Sequence, residues 1–227
     1  MDFIETLNNE IEQEIKIYSE KIERIYSGFK EMNQTQNPQF AYEIVFGFFT
    51  SEYMLKLKNP TIYDDVDAVF LWGRKLLEVL LVVKYTLHTN NFKAILEYCA
   101  RDRYEYLEGL LARQRSDKKL FPYWSMSHNS MENQKEEMDR IILKYKSKPQ
   151  KMPSMKKMAE TVGYLDEYDY FYKLSSKMLH FCPFTLNGDA DFNSFIHKAG
   201  YMQRGKKYLE ELVKDLENIY QAIPKVS

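Results

Sequence analysis

Apolar residues recur at steps of three and four along the N-terminal part of the chain, from Ile4 to Met32. This spacing places one apolar stripe on a helix, and the other faces of that helix are strongly charged. The pattern therefore predicts one long helix over about Phe3 to Met32. The spacing also resembles a heptad repeat, so two interpretations stay open: the stripe packs within the chain, or it pairs with a second copy or a partner protein.

Breaks in the hydrophobic pattern divide the rest of the chain into further helices. Asn37-Pro38 is typical of a helix start, because asparagine caps a helix and proline fits its first turn. Asn59-Pro60 ends that helix, and the apolar block Leu76–Val83 marks a central third helix. The predicted helices span about 3–32, 37–58, 63–87, 92–115, 127–146, 154–163, 164–181 and 201–222.

These elements predict an all-α protein, a single-domain bundle of about seven to eight helices with a long N-terminal helix. Its parts are the N-terminal helix (1–36), a core bundle (37–183), and a loop followed by the C-terminal helix (184–227). The composition agrees, because 44% of the 227 residues are hydrophobic and only 8 Gly and 7 Pro are present. The 18 tyrosines predict a core threaded with hydrogen bonds, since each buried hydroxyl needs a partner.

Charge and cysteine content limit the classes of partner and compartment. The 32 basic residues nearly cancel the 33 acidic ones, so no global attraction to nucleic acid or to an anionic membrane is expected. Two cysteines, no secretory signal and no apolar stretch of membrane-spanning length predict a cytoplasmic protein without a membrane partner. His180-x-Cys182 lacks a second ligand pair and no Gly-rich phosphate loop is present, so neither a metal nor a cofactor is expected.

Arg74 and Glu78 form the first constellation that could carry chemistry. They lie four residues apart on the predicted central helix, so both side chains share one face. One interpretation is a structural ion pair that organises the core. In the other, Arg74 binds an anion or stabilises a transition state.

The second constellation is a row of tyrosines and serines that ends at a histidine, with members four residues apart. The row is Tyr164, Tyr168, Tyr172, Ser176 and His180. His180 lies in the last predicted turn before Pro183, where the helix dipole favours its protonated form. It could act as an acid, a base or a phosphate ligand, or it could be a core histidine with satisfied hydrogen bonds.

A basic run is the third constellation, and it crosses the predicted Pro-containing linker. An exposed stretch of this kind could hold an RNA backbone or an acidic partner, or its lysines could simply be solvated. The candidate nucleic-acid-binding residues are Lys144, Lys146, Lys148, Lys151, Lys156 and Lys157.

Three motifs together resemble an uncharacterised family of bacterial all-helical proteins over about Asp64 to Pro183. The motifs are Arg74-x-x-x-Glu78, Arg101-Asp102-Arg103-Tyr104 and Tyr172-x-x-Ser175-Ser176-x-x-x-His180. This resemblance implies a helical fold with a polar cluster in which Arg74, Glu78, Ser176 and His180 converge. With Tyr172 on the same row, these are the five predicted catalytic residues.

The chain is also distantly similar to the HEPN superfamily of helical domains, which are common in toxin–antitoxin and phage-defence systems. Its ribonuclease members pair an arginine with a histidine a few residues later, usually across a dimer. Here Lys173 stands seven residues before His180, and Arg74 is the residue that could replace the family's arginine in space. The resemblance implies a metal-independent RNA-directed nuclease or toxin acting in stress or defence. The alternative is a non-catalytic interaction module with a structural polar core.

Overall fold

A computed structural model describes residues 3–35, 37–57, 66–116, 128–145, 152–172 and 195–224. All of the regular structure in these ranges is helical, which confirms the predicted all-α class. The α-helices are α1 (Phe3–Thr35), α2 (Ala41–Leu57), α3 (Val66–Thr89), α4 (Phe92–Ser116), α5 (His128–Tyr145), α6 (Met155–Thr161), α7 (Leu165–Glu167) and α8 (Phe195–Ala222). A 3₁₀ turn covers Pro38–Phe40, and a π-helical turn covers Tyr168–Tyr172.

The chain divides into two compact units. Unit 1 comprises Met1–Thr89 and Pro153–Ser227, and unit 2 comprises Asn90–Met152. Within the described ranges, no helix of either unit is long and apolar enough to cross a bilayer. The sequence-based assignment of one domain stays a prediction.

The apolar stripe of α1 is buried inside unit 1. Its members Ile11, Ile15, Ile22, Ile25 and Phe29 are all almost inaccessible to solvent. The helix packs along both α2 and α8. The stripe therefore packs within the chain, as the first of the two sequence-based interpretations expects.

Helix α8 is central to unit 1, because it packs on α1, α2 and α3. Its N-terminal half meets the start of α3, where the ring of Tyr201 contacts that of Phe70. Its C-terminal half meets the end of α3, where Asp215 binds Lys84. The two helices therefore run in the same direction. They approach closely at Gly205, where any side chain would collide with the ring of Trp72.

Two helix starts and one helix end form as the sequence predicts. The side chain of Asn37 accepts a hydrogen bond of 3.1 Å from the backbone N–H of Gln39, with Pro38 in the first turn. Ser154 accepts one of 3.2 Å from Lys157 N–H and begins α6. After α6 the backbone turns at Gly163 with φ 76°, a conformation that glycine adopts without strain.

The segment after α6 departs from the predicted regular helix. We name residues 164–172 the tyrosine strap; it consists of Tyr164, the three-residue helix α7 and the π turn. Phe171 of the strap is fully buried and stacks parallel to Phe70 of α3, with ring centroids 6.0 Å apart. It also packs on Tyr201 and Tyr208 of α8, each with centroids 5.8 Å away. The strap therefore lies over both α3 and α8.

Unit 2 contains α4 and α5, which pack against each other. Leu107, Leu111 and Met131 form a small apolar cluster between the two helices, with Leu110 at its edge. A polar contact reinforces the pair, because Arg103 donates a hydrogen bond of 3.0 Å to the side-chain carbonyl of Gln134.

Candidate functional site

Arg74 meets two of its predicted neighbours in unit 1, and we name Arg74, Lys75, Glu78 and Tyr172 the Arg74 cluster. The Nε of Arg74 donates to Oε1 of Glu78 at 3.0 Å, and its Nη2 donates to the hydroxyl of Tyr172 at 3.1 Å. The guanidinium carbon lies 4.4 Å from the centroid of the Tyr172 ring. Nζ of Lys75 completes the cluster 3.1 Å from Oε2 of Glu78. A residue of α3 thus holds a residue of the strap.

The Arg74 cluster carries two cations and one carboxylate, so its net charge is positive. Burial lowers the pKa of Arg74, but the hydrogen bond to Glu78 and the contacts with Tyr172 outweigh it and raise the pKa overall. The side chain of Arg74 is 16% exposed and that of Glu78 is 21% exposed. The guanidinium is therefore charged and oriented by two partners on a side chain that keeps some solvent exposure, which suits the binding of an anion.

A second polar cluster lies at the other end of the strap. Nζ of Lys84 lies 3.1 Å from Oε2 of Glu211 and 3.1 Å from Oδ2 of Asp215. The hydroxyl of Tyr164 donates a hydrogen bond to the same Glu211 oxygen. Burial lowers the pKa of Lys84, but its hydrogen bonds to the two carboxylates raise it overall. This cluster pins the start of the strap to α3 and α8 together.

Glu167 forms the third cluster, in the middle of the strap. Its Oε2 accepts a hydrogen bond of 2.8 Å from the hydroxyl of Tyr208 and also pairs with Arg204. Lys207 lies 3.9 Å from the other carboxylate oxygen. All three partners belong to α8, so this carboxylate fixes α7 onto that helix.

The buried tyrosines of these clusters should make the protein sensitive to alkali. Burial, and then a hydrogen bond to a carboxylate, raise the pKa of Tyr164 and of Tyr208 above the ordinary value of 10.0. In the unfolded chain the phenols ionise near pH 10, whereas in the folded chain they stay neutral. Their contribution to stability is therefore complete below about pH 10 and is lost as the pH rises further.

We expect the free energy of unfolding to fall steeply above about pH 10. Tyr208→Phe removes one titrating group and should reduce that slope by up to about 1.4 kcal/mol per pH unit. Urea unfolding of both proteins from about pH 8 to pH 11 measures the slopes. Equal slopes would show that Tyr208 ionises normally in the folded protein.

The structure brings three of the five predicted catalytic residues together, namely Arg74, Glu78 and Tyr172. The rings of Tyr168 and Tyr172 stack with centroids 4.7 Å apart, so these neighbours on the tyrosine row do touch. Ser176 and His180 lie outside the described residues. Their convergence with Arg74 stays a prediction.

The predicted nucleic-acid-binding lysines fall on both units. Lys156 and Lys157 are exposed on α6, and Lys157 pairs with Glu160 at 3.2 Å. The backbone of Lys144 belongs to α5. Lys146, Lys148 and Lys151 lie outside the described residues.

The sequence patterns did not predict the clusters around Lys84 and Glu167. A signal existed for the first, because Glu211 and Asp215 lie four residues apart on the predicted last helix and therefore share a face. Nothing in the sequence pairs them with a lysine far away in the chain. For Glu167, its position beside the tyrosine row was the only local sign.

Comparison with known proteins identifies a family. A family model described as a family of unknown function (DUF5677) matches residues 63–197, which is more than half of the chain and includes the Arg74 cluster and the tyrosine strap. No curated protein and no solved structure matches. The match confirms the resemblance to an uncharacterised family, and the chain belongs to that family of unknown function, DUF5677.

Proposed function

We propose that the protein is an RNA-directed, metal-independent nuclease of HEPN-like type, acting as a homodimer in stress or phage defence. The observation that carries the proposal is the geometry of Arg74, a charged guanidinium that Glu78 and Tyr172 hold in one orientation on a partly exposed side chain. A cation oriented in advance stabilises a phosphorane without first having to reorganise. Arg74 thus takes the place of the arginine that the HEPN pattern has shortly before its histidine.

The proposed reaction uses the ribose 2′ hydroxyl as nucleophile. The 2′ oxygen bonds to phosphorus while its proton passes to the neutral imidazole of His180, and the P–O5′ bond breaks. The imidazolium then returns the proton to the departing 5′ oxygen. The products are a 2′,3′-cyclic phosphate and a 5′ hydroxyl, so no metal, water or redox partner is consumed. Arg74 offsets the negative charge on the phosphorane.

Tyr172 supports the assignment of His180 as the partner of Arg74. Tyr172 and His180 are eight residues apart in the sequence, and Arg74 already holds the hydroxyl of Tyr172 at 3.1 Å. The strap that carries Tyr172 is pinned by the clusters around Lys84 and Glu167. Tyr172, the last described residue before His180, therefore lies at a fixed point beside the arginine.

The test is cleavage of a defined RNA by the purified full-length protein in the presence of EDTA. We expect products with 2′,3′-cyclic phosphate ends and no cleavage of DNA of the same sequence. His180→Ala should lower the rate by at least about 10²-fold, the contribution typical of a general acid or base. The nuclease proposal fails if His180→Ala cleaves RNA as fast as the wild-type protein and differs from it only in stability.

A second candidate function is a non-catalytic assembly module. The observation that favours it is an aromatic pair one turn apart on α2, where Phe49 is 50% exposed and Tyr53 is 40% exposed. Exposed aromatic side chains are enriched at protein interfaces. Light scattering measures the oligomeric state, and the cleavage assay measures activity. A dimer that does not cleave RNA supports assembly alone. A strict monomer contradicts both the assembly module and a dimeric nuclease.

A further inference from the structure

The π turn of the strap presents tyrosine rings on two sides. Phe171 points into the core, between α3 and α8. The stacked rings of Tyr168 and Tyr172 lie beside α3, because Arg74 of that helix covers the Tyr172 ring. Tyr170 lies beside α8, with the guanidinium carbon of Arg204 4.7 Å from its ring centroid.

These tyrosines reach the solvent to different degrees. Tyr170 is 58% exposed, and Tyr168 and Tyr172 are partly exposed. Each side of the turn thus combines an aromatic surface with an arginine, Arg74 on one side and Arg204 on the other. Such an alternation of rings and cations is how proteins bind single-stranded nucleic acid: the bases stack on the rings and the cations follow the backbone.

Neighbouring side chains also contact the rings and restrict their movement. Arg204 holds the ring of Tyr170 from one face and pairs with Glu167, and Tyr168 is held by its stack on Tyr172. A ring that is already fixed loses little conformational freedom when a base stacks on it. Bases of a duplex are stacked on one another and cannot offer their faces, whereas bases of a single strand can.

We propose that the π turn Tyr168–Tyr172 is a base-stacking platform and that the substrate class of this protein is single-stranded RNA. The inference rests on the proposed function, because the Arg74 that holds the platform is also the proposed phosphate ligand. Stacking favours unpaired nucleotides whatever their sequence. The platform therefore selects single strands over duplexes and does not determine which bond is cleaved.

The test measures binding separately from cleavage. The probe is a fluorescent RNA of about 12 nucleotides whose riboses carry 2′-O-methyl groups, so that the proposed cleavage cannot occur. Anisotropy titrations compare this strand with a duplex of the same sequence. We expect the single strand to bind at least about tenfold more tightly, and Tyr170→Ala to weaken its binding about 5- to 50-fold. Tyr170→Phe keeps the ring and should bind as the wild type does.

Tyr106 provides a matched control. It is 54% exposed on α4 and also has an arginine beside its ring, since Arg103 lies 5.3 Å from the centroid. Tyr106→Ala should leave RNA affinity unchanged. The platform is disproved if Tyr170→Ala binds normally, if Tyr106→Ala weakens binding equally, or if the duplex binds as tightly as the single strand. Binding that follows the expected order in a protein that cleaves no RNA retains the platform and disproves only the nuclease.

Discussion

Arg74→Ala should slow RNA cleavage about 10²- to 10³-fold, the usual effect of removing a group that stabilises charge in a transition state. The fold should tolerate the change. Glu78 keeps a cation, because Lys75 lies 3.1 Å from its second carboxylate oxygen. The change still removes charged hydrogen bonds from a mostly buried side chain, so the free energy of unfolding should fall by about 1–3 kcal/mol. Single-turnover cleavage rates and urea unfolding measure the two effects independently.

Two further variants test whether the effect of Arg74→Ala comes from the geometry of the guanidinium or from the loss of positive charge. Arg74→Lys keeps the charge but loses the fork that contacts Glu78 and Tyr172 together, so its rate should lie between those of Arg74→Ala and the wild type. Arg103→Ala is the control, because that arginine also lies beside a tyrosine ring and donates to a neutral partner. If Arg103→Ala slows cleavage as much as Arg74→Ala does, the loss reflects general charge and not a phosphate site.

Local chemistry made much of the fold predictable. The helix starts at Asn37 and Ser154 and the turn at Gly163 follow from capping and from backbone freedom, which depend on a few adjacent residues. The apolar stripe of α1 follows from periodicity alone. Its packing partners, α2 and α8, do not, because periodicity says which face is buried and not what covers it.

The helical geometry of the strap could not be predicted from its local sequence. Residues four apart from Tyr164 to Tyr172 suggested one uniform helix, but α7 ends at Glu167 and a π turn follows. The buried ring of Phe171, packed between α3 and α8, is the tertiary contact that accompanies this change of helical geometry. Intrinsic helix propensity is a weak preference that such packing readily overrides.

The candidate site was predictable in part for a related reason. Arg74 and Glu78 lie one helical turn apart, so their pairing follows from spacing. Tyr172 reaches the same guanidinium from 98 residues away. The place of Tyr172 on the row of tyrosines and serines made it a candidate, but only the folding of the strap onto α3 brings its hydroxyl to Arg74. Lys84 and Asp215, which are 131 residues apart, had no such row to indicate them.

Two kinds of contact hold the strap in place: the three polar clusters and the buried ring of Phe171. The ion pairs of Glu167 and of Lys84 are partly exposed, so each should contribute little net free energy, although they set the register of the strap on α3 and α8. Phe171 is fully buried and should supply most of the free energy that holds the strap on α3 and α8. Mutations of the ion pairs should therefore change the position of the strap on α3 and α8, whereas mutation of Phe171 should change how tightly it is held there.

Phe171→Ala should therefore lower the free energy of unfolding by about 3–5 kcal/mol, the range for truncating a buried phenylalanine. Its ring has no solvent exposure and contacts Phe70, Tyr201 and Tyr208, and it fills the space left by Gly73 on α3. Urea unfolding gives the global value, and hydrogen exchange should show the amides of residues 165–172 opening first.

The neighbouring variant Tyr170→Ala is the control for Phe171→Ala, because it removes a ring of similar size that is 58% exposed. It should change stability by less than about 0.5 kcal/mol. A cost below about 1 kcal/mol for Phe171→Ala would mean that its ring is not packed as a core residue. RNA cleavage adds a second criterion: if the strap orients Arg74 through Tyr172, loosening the strap should slow cleavage at urea concentrations where the rest of unit 1 stays folded.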